Sequence, residues 1–182
     1  MLHFSFEGST RLQSGEKLAL SSALAAEGAL PEFHSIEPRT YFVTAITKGR
    51  APLFREEIVV RLFLKTIFHY RNEGKFRVHC FTVMPDHFHL ILSPSNDTSL
   101  ERAMQLIRGG FSFRFGKEVS RREIWQKGYT DHRIRDSEDF VTHKTYIEQN
   151  SMRAGLATHV NEYKYGSAYP GYRLDPPPFL SG

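Results

Sequence analysis

Hydrophobic positions along the chain change period several times, and each change predicts an element. Over residues 40–47 the run Tyr41-Phe42-Val43-Thr44-Ala45-Ile46 has the β-branched and aromatic content of a strand, and Lys48-Gly49-Arg50-Ala51-Pro52 breaks it. Over 56–72 the period becomes helical, with Ile58, Val59, Leu62, Phe63, Thr66, Ile67 and Tyr70 on the repeat and Asn72 and Gly74 as stop signals. Residues 76–83 predict a second strand. After a tight turn at Pro85-Asp86 a third follows, forming an antiparallel hairpin with it. In that third strand Phe88, Leu90 and Leu92 alternate with His87, His89 and Ile91, so both imidazoles face the same way.

Asn96, Asp97, Thr98 and Ser99 are N-cap candidates for a second helix through Leu100, Met104 and Ile107. Gly109-Gly110 weakens or bends it, either as a helix end or where backbone approaches a ligand. Residues 125–135 predict a fourth strand packed through Trp125, Tyr129 and Ile134. Ser137 caps a third helix bearing Phe140, Val141, Tyr146 and Ile147 and ending near Asn150. The order strand, helix, strand, strand, helix, strand is the split βαβ of an α+β, ferredoxin-like βαββαβ sandwich, with an antiparallel sheet and one appended C-terminal helix. Two helices then cover one sheet face against Phe88, Leu90 and Leu92. His87 and His89 are left on the open face, where the appended helix docks. Residues 1–38 read as a partly mobile N-terminal arm with a short helix near 16–27, 39–170 as the folded domain, and 171–182 as a tail extended over the surface by Pro176-Pro177-Pro178.

Composition narrows the class. The chain has 182 residues, 40% hydrophobic and 24% charged, enough for one globular domain with a real core. A net charge of +4 says little, but its placement says more: residues 101–135 hold nine basic residues against four acidic, net +5, which leaves −1 for the rest. That basic band favours a phosphate-tracking surface over mere solubility. The lone Cys80 excludes an internal disulfide and suits a reducing cytoplasm, with the thiol buried as a small hydrophobe. No apolar run approaches a membrane span, and Glu7 and Glu16 before the 18–26 stretch argue against a secretory signal.

Candidate chemistry starts with His87 and His89. Neutral imidazole is the commonest side-chain metal ligand, and two on one strand face grip an ion without rearrangement, although a pair alone is an incomplete site. The alternative is two half-exposed polar residues on an open sheet face. On the third predicted helix His143, Tyr146 and Asn150 share a face, and the Asn150 carbonyl is a candidate third ligand. A phenol with a pKa near 10 is a poor nucleophile unless a cation or base assists it, and a metal beside Tyr146 would meet that need. The competing role for Tyr146 is a core aromatic. For His132 and His143 both a site role and a polar or capping role stay open.

Three blocks then resemble a known family: Met84-Pro85-Asp86-His87-Phe88-His89, Ile124-Trp125-Gln126-Lys127-Gly128-Tyr129-Thr130-Asp131-His132-Arg133-Ile134-Arg135-Asp136, and Tyr146-Ile147-Glu148-Gln149-Asn150-Ser151-Met152-Arg153-Ala154-Gly155-Leu156. Together, in this order, they resemble the HUH single-strand transposases with one catalytic tyrosine (IS200-like), and most closely the REP-associated tyrosine transposases. A lone His-x-His would be weak evidence; three blocks in register over residues 40–170 are strong. The resemblance implies that His87, His89 and Asn150 hold a divalent ion, Mg²⁺ or Mn²⁺, and that Tyr146 is the nucleophile. The activity it implies is cleavage and rejoining of single-stranded DNA at hairpins through a 5′-phosphotyrosine. Such chains often carry Met-Pro-Asn-His where this one has Asp86, and Asn-Pro where it has Asn150-Ser151; neither change removes a ligand.

The partners so implied are single-stranded DNA and DNA hairpins, in a cytoplasmic, nucleoid-associated setting, with no membrane; monomer and homodimer are both open. Candidate DNA contacts are Arg102, Arg108, Arg114, Lys117, Arg121, Arg122, Lys127, Arg133 and Arg135, with Trp125 or Tyr129 able to stack on bases if they are not core. Two rivals remain. A domesticated hairpin-binding protein without cleavage would keep the fold but not need the intact His87, His89, Tyr146 and Asn150 set. A hydrolase or transferase acting on a small phosphate ester would need neither Tyr146 nor the basic band.

Overall fold

A computed structural model of the chain describes residues 39–179, so the expected arm at 1–38 lies outside the described residues. The elements in chain order are β1 (Thr40–Ile46), two short 3₁₀ turns (Lys48–Arg50 and Leu53–Arg55), α1 (Glu57–Asn72), β2 (Phe76–Met84), β3 (His87–Pro94), α2 (Leu100–Glu118), β4 (Thr130–Ile134) and α3 (Ser137–Arg153). The strands form one sheet of order β2-β3-β1-β4 with every pairing antiparallel. This is the expected ferredoxin-like sandwich.

Strand parity divides the molecule into two packed layers. Val43, Ala45, Phe88, Leu90 and Leu92 face α1 and α2 and share one core with Val59, Phe63, Ile67, Met104, Ile107, Phe111 and Phe115. Its centre is aromatic: Phe54, Phe63, Phe88, Phe111 and Trp125 contact one another with ring centroids 4.8–6.0 Å apart. Tilted and edge-on pairs of this kind add to the burial of the rings themselves. On the other face Cys80, Ile91 and Ile134 form a second, smaller core with Phe140 and Ile147 of α3.

Several local expectations are corrected. Gly109-Gly110 neither ends nor opens α2, which runs on to Glu118. A Cβ on Gly110 would stand 2.7 Å from Tyr70 Cε2, so the missing side chain lets α1 lay its tyrosine against α2. Trp125 does not belong to β4; it is buried in the aromatic core and its indole N–H donates to the Arg108 carbonyl at 3.1 Å. It is therefore no platform for bases, and β4 begins only at Thr130, beyond Gly128 with φ +77°. The cap of α3 is Asp136, not Ser137: its carboxylate accepts from the Asp139 amide at 2.8 Å, and the helix continues one turn past Asn150. Val141 and Ile58, read as packing positions, are exposed.

Residues after α3 return along the free edge of β2. Val83 N–H donates to Tyr165 O, Ser167 N–H to Phe81 O and Asp175 N–H to Val78 O, at 2.8–2.9 Å. Covering an edge strand with chain satisfies its ladder groups and blocks pairing with another sheet. Arg71 clamps the end of this segment with two hydrogen bonds to Asp175, at 2.7 and 2.9 Å.

Candidate active site

The hairpin turn that precedes His87 is held by the segment that follows β1. Thr47 N–H and Oγ1–H both donate to Asp86 O at 2.9 Å, and Phe54 N–H donates to Pro85 O at 2.9 Å. Beyond this anchored turn, His87 lies opposite Ile46 and Met84, and His89 opposite Thr44 and Thr82, on the sheet face away from α1 and α2. The two imidazole centroids are 4.8 Å apart. Each ring has its Nδ1 occupied: His87 Nδ1 is 2.6 Å from Asp86 Oδ1, and His89 Nδ1 is 2.6 Å from Thr44 Oγ1. The Asp86 carboxylate accepts from His87 Nδ1–H, while the His89–Thr44 bond can be donated from either side; with Nδ1 engaged in both rings, Nε2 is the atom of each left to bind an ion.

Burial sharpens the point for His89. The residue is 4% exposed, and its Nε2 is buried without a hydrogen-bond partner. Desolvation first, then the neighbouring His87, lowers its pKa to about 3, so the ring is neutral at physiological pH. An orphaned, neutral, buried nitrogen costs free energy as it stands, and a cation is the partner that suits it. Asp86 is held below the usual carboxylate range: burial pulls it upward, but the hydrogen bonds from His87 and Arg50 and their charges outweigh that. The His87 and His89 pair therefore fits a divalent ion in both donor chemistry and outer-shell support.

Helix α3 brings Tyr146 to this pair. Phe140 and Ile147 bury into the smaller core, which fixes the rotation of the helix, and Tyr146 sits edge-on to His89 with centroids 5.3 Å apart. It also meets Phe42 of β1 edge-on at 6.0 Å, while remaining 39% exposed, accessible to a polymer outside the protein. Asn150 lies one turn further along α3 and is half-buried. The Arg153 guanidinium stands 5.4 Å over the Tyr146 ring and donates to Gln149 Oε1 at 3.1 Å. Sequence reasoning missed Thr44 and Arg153. Arg153 was legible in principle, two turns after Tyr146; Thr44 is tied to His89 only by cross-strand register.

The basic residues do not form one face. Arg102, Arg108, Arg114 and Lys117 lie on α2, on the opposite side of the sheet from Tyr146; Arg121, Arg122 and Lys127 follow on the connection to β4, and Arg133 and Arg135 lie on or just after that edge strand. Arg108 is half-buried, donating from Nη2 to Gln126 O at 2.7 Å and lying 5.5 Å over Trp125. Among the described residues no helix is long and apolar enough to cross a membrane.

An antiparallel βαββαβ sheet with paired strand histidines under a tyrosine-bearing helix is the arrangement of a class of DNA strand-transfer enzymes, and the comparison with known families agrees. Residues 36–150 match the model described as transposase IS200 like, and the chain belongs to that family, whose members bind DNA and cut and transfer its strands. It is similar to REP-associated tyrosine transposases. A Haemophilus influenzae protein assigned to that group is 26% identical over 141 residues, covering 70% of this chain and 78% of the relative. The REP-associated tyrosine transposase of Escherichia coli is 23% identical over 136 residues, covering 72% and 78%. A solved structure of a REP-associated tyrosine transposase bound to a REP hairpin matches the fold with a TM-score of 0.63 at 22% identity, over 72% of this chain and 78% of that one.

Proposed function

We propose that this chain cleaves and rejoins single-stranded DNA at hairpin sequences, with Tyr146 as nucleophile and His87, His89 and Asn150 holding a divalent ion. The observation that carries the reading is the buried, unpartnered Nε2 of His89 beside the accessible ring of Tyr146. Family membership supports the chemistry, and the hairpin in the related solved structure supports the substrate class. When bound, Mg²⁺ or Mn²⁺ would supply positive charge to the scissile phosphate and so favour attack on it.

The protein's own part is positional. The Tyr146 hydroxyl gives up its proton as its oxygen attacks phosphorus in line; the Tyr–O–P bond forms, the P–O3′ bond breaks, and the departing 3′ oxygen takes up one proton, so the count of protons is unchanged. The 5′-phosphotyrosine retains a phosphodiester, so attack by another DNA 3′-OH reverses the step and joins strands without an external energy source. Arg153 holds the tyrosine ring from above and keeps a cation beside the phosphate that the phenol acquires. The DNA backbone passes from Tyr146 around the β4 edge, where Lys127, Arg133 and Arg135 meet it, toward Arg121 and Arg122. Arg102, Arg108, Arg114 and Lys117 extend the field on the far face.

The test is incubation with Mn²⁺ and labelled hairpin oligonucleotides carrying single-stranded flanks, followed by a denaturing gel. A covalent protein–DNA adduct is expected, lost in Tyr146→Phe and with chelator, while the variant keeps its fold and its DNA affinity. An adduct that persists in Tyr146→Phe overturns the assignment. Tight, salt-sensitive hairpin binding with no adduct in the wild type moves the reading to a DNA-binding protein without cleavage.

A further inference from the structure

A second group of metal-ligating side chains lies outside the site just described. His132 of β4 points its Nε2 at the Asp139 carboxylate, 2.9 Å from Oδ2 and 3.2 Å from Oδ1. His143, one turn after Asp139 on α3, places Nδ1 2.9 Å from Oδ1 of the same carboxylate, and also 2.9 Å from the Asp139 carbonyl. The two imidazoles are stacked, 4.5 Å apart at 18°. One donor atom from each of the three residues lies within 4.8 Å of the others. Phe42 separates this cluster from the first site, its ring 4.9 Å from His143 and 5.4 Å from His89.

Two imidazole nitrogens and a carboxylate oxygen are the donor set that suits Zn²⁺ and the neighbouring first-row ions, which bind such atoms at about 2.0–2.2 Å. Donors spaced about 3–3.5 Å apart around an ion satisfy those bond lengths. The Asp139 oxygens are already near that spacing from both rings, and an ion binding there takes the place of the protons that His132 Nε2 and His143 Nδ1 donate to them. Asp139 is further oriented by the Arg135 N–H, which donates to Oδ2 at 3.1 Å and acts as an outer support. The His132 side chain is 43% exposed, which leaves a fourth position open to water.

We propose that His132, Asp139 and His143 form a second cation site, of Zn²⁺ type, that ties β4 to the first turns of α3. Its effect is on the helix that carries Tyr146: the ion fixes the N-terminal half of α3 on the sheet edge, and Tyr146 follows His143 by three residues on the same face. The site is independent of the ion assigned to His87, His89 and Asn150, and the two are separable by experiment.

The experiment titrates Zn²⁺ into the full chain by calorimetry and follows thermal unfolding with and without Zn²⁺. Two ions per wild-type chain are expected. His87→Ala/His89→Ala should keep one, with a Zn²⁺-dependent rise in Tm, and adding His132→Asn should weaken that remaining ion at least tenfold and remove the rise. Because His132 is an exposed residue on an edge strand, this substitution leaves both cores untouched; His143→Gln, tested separately, should have the same effect. A His87→Ala/His89→Ala chain that binds no Zn²⁺, or binds it equally well with His132→Asn added, overturns the second site. A wild type that binds a single ion, abolished by His87→Ala/His89→Ala, sinks the second site and leaves the first standing. A single ion abolished only by His132→Asn does the reverse.

Discussion

Thr44 shows how much of this site rests on one hydroxyl. Its Oγ1 lies 2.6 Å from His89 Nδ1 and engages that nitrogen, which orients the ring and leaves Nε2 as the atom free to meet an ion. Thr44→Val keeps the shape of the side chain and the β-branched strand propensity but removes that partner. The protein should lose about 1–3 kcal/mol of stability, because the substitution leaves the buried His89 Nδ1 without a partner. Divalent-ion affinity should fall about 10–100-fold, the usual effect of deleting an outer-shell partner. Mn²⁺ titration alongside denaturant unfolding checks both; an unchanged affinity would mean that His89 is not oriented by Thr44. The two histidines were legible because strand parity is a local property, readable from Phe88, Leu90 and Leu92 alone. Thr44 was not, because its partner is 45 residues away and only the β1–β3 register brings them together. Trp125 was read correctly as a packing residue but assigned to the wrong element: it lies ahead of β4 and fills an aromatic cluster of residues from four other segments, a placement that no local pattern shows.

At the level of elements, α2 exposes a conflict between propensity and packing. Two consecutive glycines inside a helix are unfavourable by about 1 kcal/mol each relative to alanine, which is why the sequence reads as a break. The helix persists because Ala103, Met104, Ile107, Phe111 and Phe115 are all fully or nearly fully buried, and tertiary burial outweighs the local penalty. The two glycines then differ in what they do. A Cβ on Gly109 meets nothing within 4 Å, while one on Gly110 would meet the Tyr70 ring at 2.7 Å and its hydroxyl at 2.9 Å. Gly109→Ala should therefore stabilise the protein by roughly 0.5–1 kcal/mol. Gly110→Ala should come out less stable than Gly109→Ala by about 1 kcal/mol or more, since the same helix gain is opposed by the displacement of Tyr70. Paired denaturant melts decide this, and a Gly110→Ala protein as stable as Gly109→Ala would contradict the close α1–α2 contact. Helix α3 was more legible, because Phe140 and Ile147 mark its buried stripe. Its cap and length were not, since Asp136 and Ser137 are both good capping residues and only geometry chooses between them.

At the scale of the whole molecule a strap closes one sheet edge, and it crosses the boundary at 170 where the sequence reading ends the folded domain and begins a Pro-rich tail. Residues 165–175 close the β2 edge, and under the strap His79 is 3% exposed, its Nε2 2.8 Å from Ser93 Oγ and its Nδ1 3.3 Å from Asp175 O. Burial, the largest influence, holds its pKa below the ordinary 6.5; the Asp175 carbonyl and carboxylate pull upward less strongly, and Arg77 pushes it further down. The folded protein thus keeps His79 neutral at pH values where the unfolded chain protonates it. The unfolded state then binds more protons, so stability is complete above about pH 6.5 and falls as pH drops below it, with a slope of up to about 1.4 kcal/mol per pH unit from this group. Asp175 acts in a separate window. Burial raises its pKa, but the bonds from Arg71 and the Val78 N–H more than offset that and hold it below 3.8, so its contribution is lost only in stronger acid. Urea melts from pH 7.5 to 3.5 should show a slope below pH 6.5 to which His79 and His89 both contribute, and His79→Gln, which cannot titrate, should remove the His79 share while leaving the His89 share and the loss below pH 4 in place. Equal slopes in the two proteins between pH 6.5 and 5 would mean that His79 protonates as readily under the strap as in the unfolded chain, and that the strap does not seal the β2 edge from water.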